Sequence, residues 1–306
     1  MGALDPAGRE AERIAALFWW MVGGGAVIWV VVVALAIYAT YLKPAPIAPA
    51  TARRLVLWGG ALLPTALLSV LLVYGLSMLP PLLAPAPEGA LRIHVTGEQW
   101  WWRVRYLAPG GDAVELANEL RLPVGRPVEL VLETRDVIHS LWVPELGAKM
   151  DMIPGRTTRL TVHPTRTGVF RGLCAEYCGA SHAYMLFEVH VVPDDAFEGW
   201  LARQERPAED PADPLAVRGR AAFLANGCGA CHSVRGTPAG GRIGPDLTHV
   251  GGRGAIAAGR LPGGAPDFHR WIARPESIKP GARMPAFHML PPEELRAMAA
   301  YLEGLR

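Results

Sequence analysis

Two long stretches without a charged residue constrain the first third of this chain more than any other feature. No Asp, Glu, Lys or Arg lies between Arg13 and Lys43, and the body from Leu17 to Leu42 is mostly Val, Ala, Ile, Leu and Trp. A second uncharged stretch separates Arg54 from Glu88, with its apolar body from Leu55 to Leu83. About 20 apolar residues cross a hydrocarbon layer of ~30 Å, and each stretch exceeds that. Core helices of a soluble protein would each keep a polar face, and neither stretch has one. A cleavable signal peptide is the rival reading of the first, but its apolar segment would be only ~7–15 residues and would end in small residues. This one ends in Tyr38-Ala-Thr-Tyr41-Leu-Lys43-Pro44, with Trp19, Trp20, Tyr38 and Tyr41 near its two ends, as interface aromatics lie. The sequence predicts a retained transmembrane hairpin within residues 1–90.

The loop between the spans carries Lys43, Arg53 and Arg54 and no acid, so positive-inside bias places it in the cytoplasm. The N-terminal tail mixes Arg9 and Arg13 with Asp5, Glu10 and Glu12. Both termini and everything after about residue 88 are then expected outside, on the periplasmic side of a bacterial inner (plasma) membrane. A formal charge of +2 over 306 residues gives no case for nucleic acid.

The Pro-rich stretch 80–90 predicts a stiff exit from the membrane. From Leu91 the pattern becomes β-like, with Leu91–Tyr106, Val128–Thr134 and Arg159–Val162 as strand-like runs. Met185, Phe187, Val189 and Val191 fall on one side of a further strand, opposite Glu188 and His190. Short strands at this spacing indicate a sandwich or barrel over residues 91–205. An amphipathic piece, Asp194–Arg206, leads into a linker at 206–214 rich in Pro, Asp and Glu. The last unit, 215–306, is helical, with Leu295, Met298, Ala299 and Leu302 striping a closing helix behind Pro291 and Pro292. A unit this small usually needs a cofactor to complete its core.

The chain has 4 cysteines, and all fall into two close pairs. Cys174-x3-Cys178-x3-His182-x2-Met185 gathers thiolate, imidazole and thioether directly before a strand, where a loop can wrap them around one centre. These soft donors suit copper; zinc rarely uses Met, and Mg and Ca prefer oxygen. A single Cys with His and Met would suit a mononuclear blue-copper site, and the second thiol points past that. A Cys174–Cys178 disulfide is the alternative, leaving His182 and Met185 as coincidence. The second pair, Cys228-Gly-Ala-Cys231-His232, is the C-x-x-C-H signature of c-type haem attachment, with a thioredoxin-like redox pair as its rival.

The run Asp136-Val-Ile-His139-Ser-Leu-Trp-Val-Pro144, then Gly147-Ala-Lys-Met-Asp151-Met-Ile-Pro154-Gly155-Arg156, then Cys174–Met185, resembles cytochrome c oxidase subunit II. Gly97-Glu-Gln-Trp100-Trp101-Trp102 is similar to that family's aromatic stretch, and the resemblance covers about residues 15–205. It implies a cupredoxin-like β-barrel with a dinuclear CuA centre. Cys174 and Cys178 would bridge the two coppers, His139, His182 and Met185 would be terminal ligands, and Glu176 would offer its backbone carbonyl. The Glu176 carboxylate would also meet a Mg ion at the subunit I boundary. Trp100 would be the residue through which electrons enter; packing inside the barrel is its ordinary alternative. One departure stands out: the family's second span often begins with a carboxylate linked to proton uptake, and here both spans lack Asp, Glu and His.

Downstream of the haem motif, Gly244-Pro245-Asp246-Leu247 and Met284-Pro285-Ala286-Phe287 resemble segments of class I cytochromes c, and Gly219 and Phe223 sit where that fold crosses its first and last helices. This implies an all-α class I cytochrome c domain with thioether links at Cys228 and Cys231, His232 proximal and Met284 distal. Met289 and Met298 are rival sixth ligands; His249, His269 and His288 read as ordinary. His/Met ligation raises haem potential, as electron transfer requires.

Together the segments resemble subunit II of a caa3-type oxidase with a fused cytochrome c. The implied partners are subunit I and subunit III, with a soluble cytochrome c or a bc complex as electron donor. Electrons would pass from haem to copper to subunit I, where oxygen is reduced. The chain alone lacks the intramembrane histidines that oxygen reduction needs. Two rivals are a CuA-containing component of a nitric oxide or nitrous oxide reductase and a membrane copper-delivery protein, which the second span, Met185 and the haem motif oppose.

Overall fold

The computed structural model describes residues 2–42, 46–107 and 114–306, with the backbone alone at 81–83. Lys43, one of the three cations used to orient the hairpin, lies outside the described residues. The chain divides into two units, Arg13–Ala84 and a larger one made of Met1–Glu12 with Pro85–Arg306.

The first unit is helical. Helix α1 (Arg9–Ile37) passes into a π-helical segment, Tyr38–Leu42, giving 34 continuous residues. Helix α2 (Pro49–Leu55), a π-helical segment Val56–Leu62 and α3 (Leu63–Leu83) follow without a break. Both rods are long and apolar enough to cross a membrane. Their large side chains are exposed, Trp20 at 80% and Val70 at 69%, which a soluble core helix would not tolerate. The Pro-rich exit starts later than the sequence implies. Helix α3 carries on through Pro80 and Pro81 because proline's fixed φ is itself helical, and the chain turns extended only at Ala84.

In the second unit, ten strands form two five-stranded sheets. The strands are β1 (Leu91–Glu98), β2 (Trp101–Tyr106), β3 (Val114–Ala117), β4 (Glu119–Pro123), β5 (Val128–Thr134), β6 (His139–Trp142), β7 (Met150–Met152), β8 (Thr158–Val162), β9 (Gly168–Cys174) and β10 (Leu186–Val192). One sheet runs β3-β2-β1-β5-β8 and the other β4-β10-β9-β6-β7. The β1–β5 and β4–β10 pairs are parallel, as befits a cupredoxin-like sandwich rather than a simple meander. Phe187, Val189 and Val191 of β10 point into the core as their period-2 pattern dictates, meeting Trp102, whose ring lies 5.3 Å from Phe187. Residues 91–106 fold back on themselves rather than running straight. A turn at Gln99-Trp100 makes a hairpin, in which Glu98 opposes Trp101.

Two smaller pieces close this sandwich. Helix α4 (Asp194–Gln204) buries Phe197 and Trp200 against Tyr106, the latter edge-on at 5.3 Å. Before α1 crosses into the other unit, its start is stitched to the sandwich. Ala7 N–H donates to the Glu145 carbonyl at 2.7 Å, and the Glu10 carboxylate accepts from His163 N–H at 3.1 Å.

The C-terminal part is built from α5 (Pro214–Ala225), α6 (Ala265–Ala273), α7 (Pro275–Ile278) and α8 (Pro292–Gly304). Asp213 caps α5 by accepting from Ala216 N–H at 3.1 Å. Helices α5 and α8 cross at Gly219, where a Cβ would lie 1.9 Å from the Ala297 carbonyl oxygen. Phe223 and Tyr301 pack nearby with centroids 5.7 Å apart, and Leu295, Met298, Ala299 and Leu302 form the buried stripe.

Candidate functional site

Strand pairing assembles the first centre. Leu141 of β6 opposes Cys174 at the end of β9, so His139, at the start of β6, reaches the thiol. The loop after β9 is pinned by Ala175 N–H donating to the Ser140 carbonyl at 2.8 Å, and it brings Cys178, His182 and Met185 back to the same spot. Gly97 makes this possible from the other sheet, because a Cβ there would meet the His139 ring at 2.7 Å.

The donor atoms converge closely. The two Sγ atoms stand 3.8 Å apart, far beyond the ~2.05 Å of a disulfide, and both thiols are free. His139 Nδ1 is 3.8 Å from Cys174 Sγ, His182 Nδ1 is 3.5 Å from Cys178 Sγ, and Met185 Sδ is 3.8 Å from Cys178 Sγ. The Glu176 carbonyl oxygen lies 3.2 Å from Cys174 Sγ. His139, Cys174 and Cys178 are all buried, and one donor atom from each lies within 4.8 Å of the others.

Electrostatics make this set ready to bind a cation. The Cys174 thiol is pulled down to about 3, first by the hydrogen bond from Cys178 and then, against burial, by the His139 imidazole. The same pairing, with burial, drives Cys178 upward, so the dithiol gives up one proton readily and holds the second. Burial works against the His139 imidazolium, but its bonds to Cys174 and Asp136 outweigh that and raise it. Asp136 Oδ1 sits 2.9 Å from His139 Nε2, which fixes the ring and leaves Nδ1 facing the sulfurs.

The second centre is a cavity of about 640 Å³, within the size range of cofactor sites. Cys228, Cys231, His232 and Met284 all line it. His232 Nδ1 donates to the Pro245 carbonyl at 2.8 Å, so Nε2 is the nitrogen left to act as a ligand. Burial lowers its basicity and keeps the imidazole neutral. Gly244 packs on that ring, where a Cβ would come within 2.5 Å of Cε1. Met298 also lines the cavity from α8, whereas Met289 is 67% exposed and does not.

Trp100 belongs to both centres. Its indole N–H donates to the Cys178 carbonyl at 2.9 Å, and its ring lines the cavity. Several neighbours were not singled out from sequence. Gln99 also donates to the Cys178 carbonyl, at 2.8 Å, and Lys279 donates to the Trp100 carbonyl. Arg253 lines the cavity with its Nε unpartnered among the described residues, a cation suited to an acidic group there. Asp136, three residues before His139, is set in place by Gln99 from the distant β1–β2 turn, and Arg253 lies nine residues after Gly244.

The donor sets fit a copper pair and a covalently attached haem. Comparison with known proteins agrees. The family described as cytochrome c oxidase subunit II, periplasmic domain, matches residues 107–192, and the cytochrome c family matches residues 216–306. A cytochrome c oxidase subunit 2 from Alkalihalophilus pseudofirmus is 39% identical over 225 residues, covering 72% of this chain and 64% of that protein. One from Bacillus sp. (strain PS3) is 34% identical, covering 70% of this chain and 62% of that protein. The chain thus spans just under two thirds of these relatives' length. The solved periplasmic domain of subunit II from Bradyrhizobium japonicum is 32% identical, with a TM-score of 0.37, over 39% of this chain and 96% of that one.

Proposed function

We propose that this chain, a cytochrome c oxidase subunit II domain at residues 107–192 joined to a cytochrome c domain at 216–306, is the electron-input subunit of a haem-copper terminal oxidase. It would take electrons from a cytochrome c or bc complex donor and pass them to subunit I, with subunit III as a further partner. When bound, the haem and the copper pair supply the one-electron redox changes. The chain's own residues hold and orient them. Cys228 and Cys231 would hold the haem covalently, His232 and Met284 would be its protein ligands, and Arg253 would supply a cation in the same cavity. Cys174, Cys178, His139, His182, Met185 and the Glu176 carbonyl would hold the coppers. Burial of His139, Cys174, Cys178 and Met185 limits water at the donor atoms, which keeps the change in solvation on electron transfer small.

The two helical rods would anchor the chain in the bacterial inner membrane with the larger unit on the periplasmic side. The Glu176 carboxylate is 46% exposed and paired with Lys149 at 3.6 Å, which leaves it accessible to a Mg ion at a subunit boundary. The observation that carries the reading is Trp100, bonded to the copper loop while lining the haem cavity. The test is a count of copper and haem on the purified complex with its oxygen consumption. Two coppers and one c-type haem per chain, with oxygen uptake, are expected. One copper or none, or uptake of nitric oxide in place of oxygen, overturns it.

A further inference from the structure

Outside the ligand sets, three consecutive positions of the haem domain touch both Trp100 and the copper loop. Lys279, Pro280 and Gly281 follow α7, shortly before Met284. Lys279 is 4% exposed, and its Nζ donates to the Trp100 carbonyl. The Pro280 carbonyl accepts from the hydroxyl of Ser181, at 2.6 Å; Ser181 is fully buried and immediately precedes His182. Gly281 lies against the Trp100 ring, where a Cβ would be 2.7 Å away, and its φ of +76° suits glycine. Each contact is with Trp100 or with the loop that carries the copper donors.

A buried ammonium is costly unless it is bonded, and a lysine has three donors to satisfy. The chain contains only 3 lysines, so a lysine at this buried junction is not a by-product of a lysine-rich surface. Buried Arg103 also crosses this junction, donating to the Arg242 and Ile243 carbonyls, but away from Trp100 and the copper loop; the contacts made by exposed side chains are weaker. Arg283, 72% exposed, is 3.9 Å from the Asp136 carboxylate and 3.3 Å from the Gln99 side chain. Such pairs are screened by salt and contribute little.

We propose that Lys279–Gly281 is a latch that fixes the haem domain on Trp100, with Lys279 as the positioning residue that holds the Trp100 backbone while its indole stays bonded to the Cys178 carbonyl. This deepens the proposed function and rests on it. The step concerned moves one electron: reduced haem loses it and the copper pair gains it, with no bond or proton exchanged. The latch sets geometry, and the step is steeply geometry-dependent. Because the one charged member, Lys279, and its neighbour Ser181 are buried, the internal rate should be nearly independent of ionic strength, unlike docking of a separate cytochrome through exposed charges.

The test uses the full-length, copper- and haem-loaded chain and its Lys279→Met variant. Two quantities are read: the internal haem-to-copper rate after photoreduction, and deuterium uptake across residues 97–103 and 178–182. The variant is expected to slow transfer about tenfold or more, the scale of a misplaced reacting pair. Uptake should rise in both segments, while the haem and copper absorption bands stay as in the parent. The parent's rate should change less than twofold between low and high salt. A rate within twofold of the parent, with unchanged uptake, overturns the latch. Should Lys279→Met fail to fold, Ser181→Ala, which removes only the hydroxyl bonded to Pro280, decides by the same two readings. A parent that binds both cofactors yet shows no internal transfer overturns the proposed function, and the uptake measurement still decides the latch.

Discussion

The His139 imidazole is gripped from both sides, by Asp136 at Nε2 and by the Cys174 sulfur facing Nδ1. Asp136 is itself held by Gln99 N–H at 2.7 Å and Val137 N–H at 2.8 Å. Burial disfavours its charge, but the bonds from Gln99, His139 and Val137 outweigh that and lower its pKa, so it remains a carboxylate. Carboxylates that orient a metal-binding histidine typically contribute 10–100-fold to affinity. Asp136→Asn should therefore weaken copper binding by about that factor in a competition titration, leaving the haem spectrum intact. Cys178→Ser should go further and abolish the dinuclear absorption; retention of two coppers per chain would contradict the ligand set. The convergence of four candidate donors was legible because they lie within residues 174–185. Asp136's role was not, since it needs Gln99 from the β1–β2 turn, 37 residues away, and no local pattern encodes that contact.

Elements show the same division between local pattern and tertiary contact. The period-2 pattern of β10 and the i, i+3, i+4, i+7 stripe of α8 were readable, because burial on one face imposes them. The turn at Gln99-Trp100 was hidden in a β-like run, because it is secured by Asp136 and Cys178 rather than by turn residues. The late end of α3 was hidden too, since consecutive prolines usually mark a stop. Gly219 was readable only as a crossing point; the structure adds that backbone, which cannot move aside, fills the space above it. Gly219→Ala should force α5 and α8 apart. Overpacking of this kind costs about 1–3 kcal/mol, or roughly 5–20 °C in the melting temperature of a domain this size. Gly240→Ala, where a Cβ meets nothing within 4 Å, should melt within about 1–2 °C of the parent and serves as the control. Melting followed by circular dichroism at the haem band checks both.

At the scale of the whole molecule, Lys279 ties the stability of the larger unit to pH. Burial depresses its pKa from 10.5 to about 7, with Arg260 pushing the same way and Cys178 opposing. The unfolded chain therefore holds a proton on this lysine between about pH 7 and 10.5 that the folded chain has released. Folding is penalised in full below about 7, and the penalty fades as pH rises towards 10.5, so this group makes the metal-free protein more stable with increasing pH. One proton corresponds to a slope of at most about 1.4 kcal/mol per pH unit. Other groups titrate in the same window, so the informative quantity is a difference between two chains. Denaturation of the metal-free parent and Lys279→Met at pH 7 and pH 9 should show the variant relatively more stable at pH 7, with the gap narrowing at pH 9. A gap that stays constant or widens would mean that Lys279 is not buried in the folded chain as a group that must shed its proton. A narrowing gap together with slowed electron transfer in the loaded variant would show that this lysine costs the fold stability at neutral pH while setting the path between the two centres.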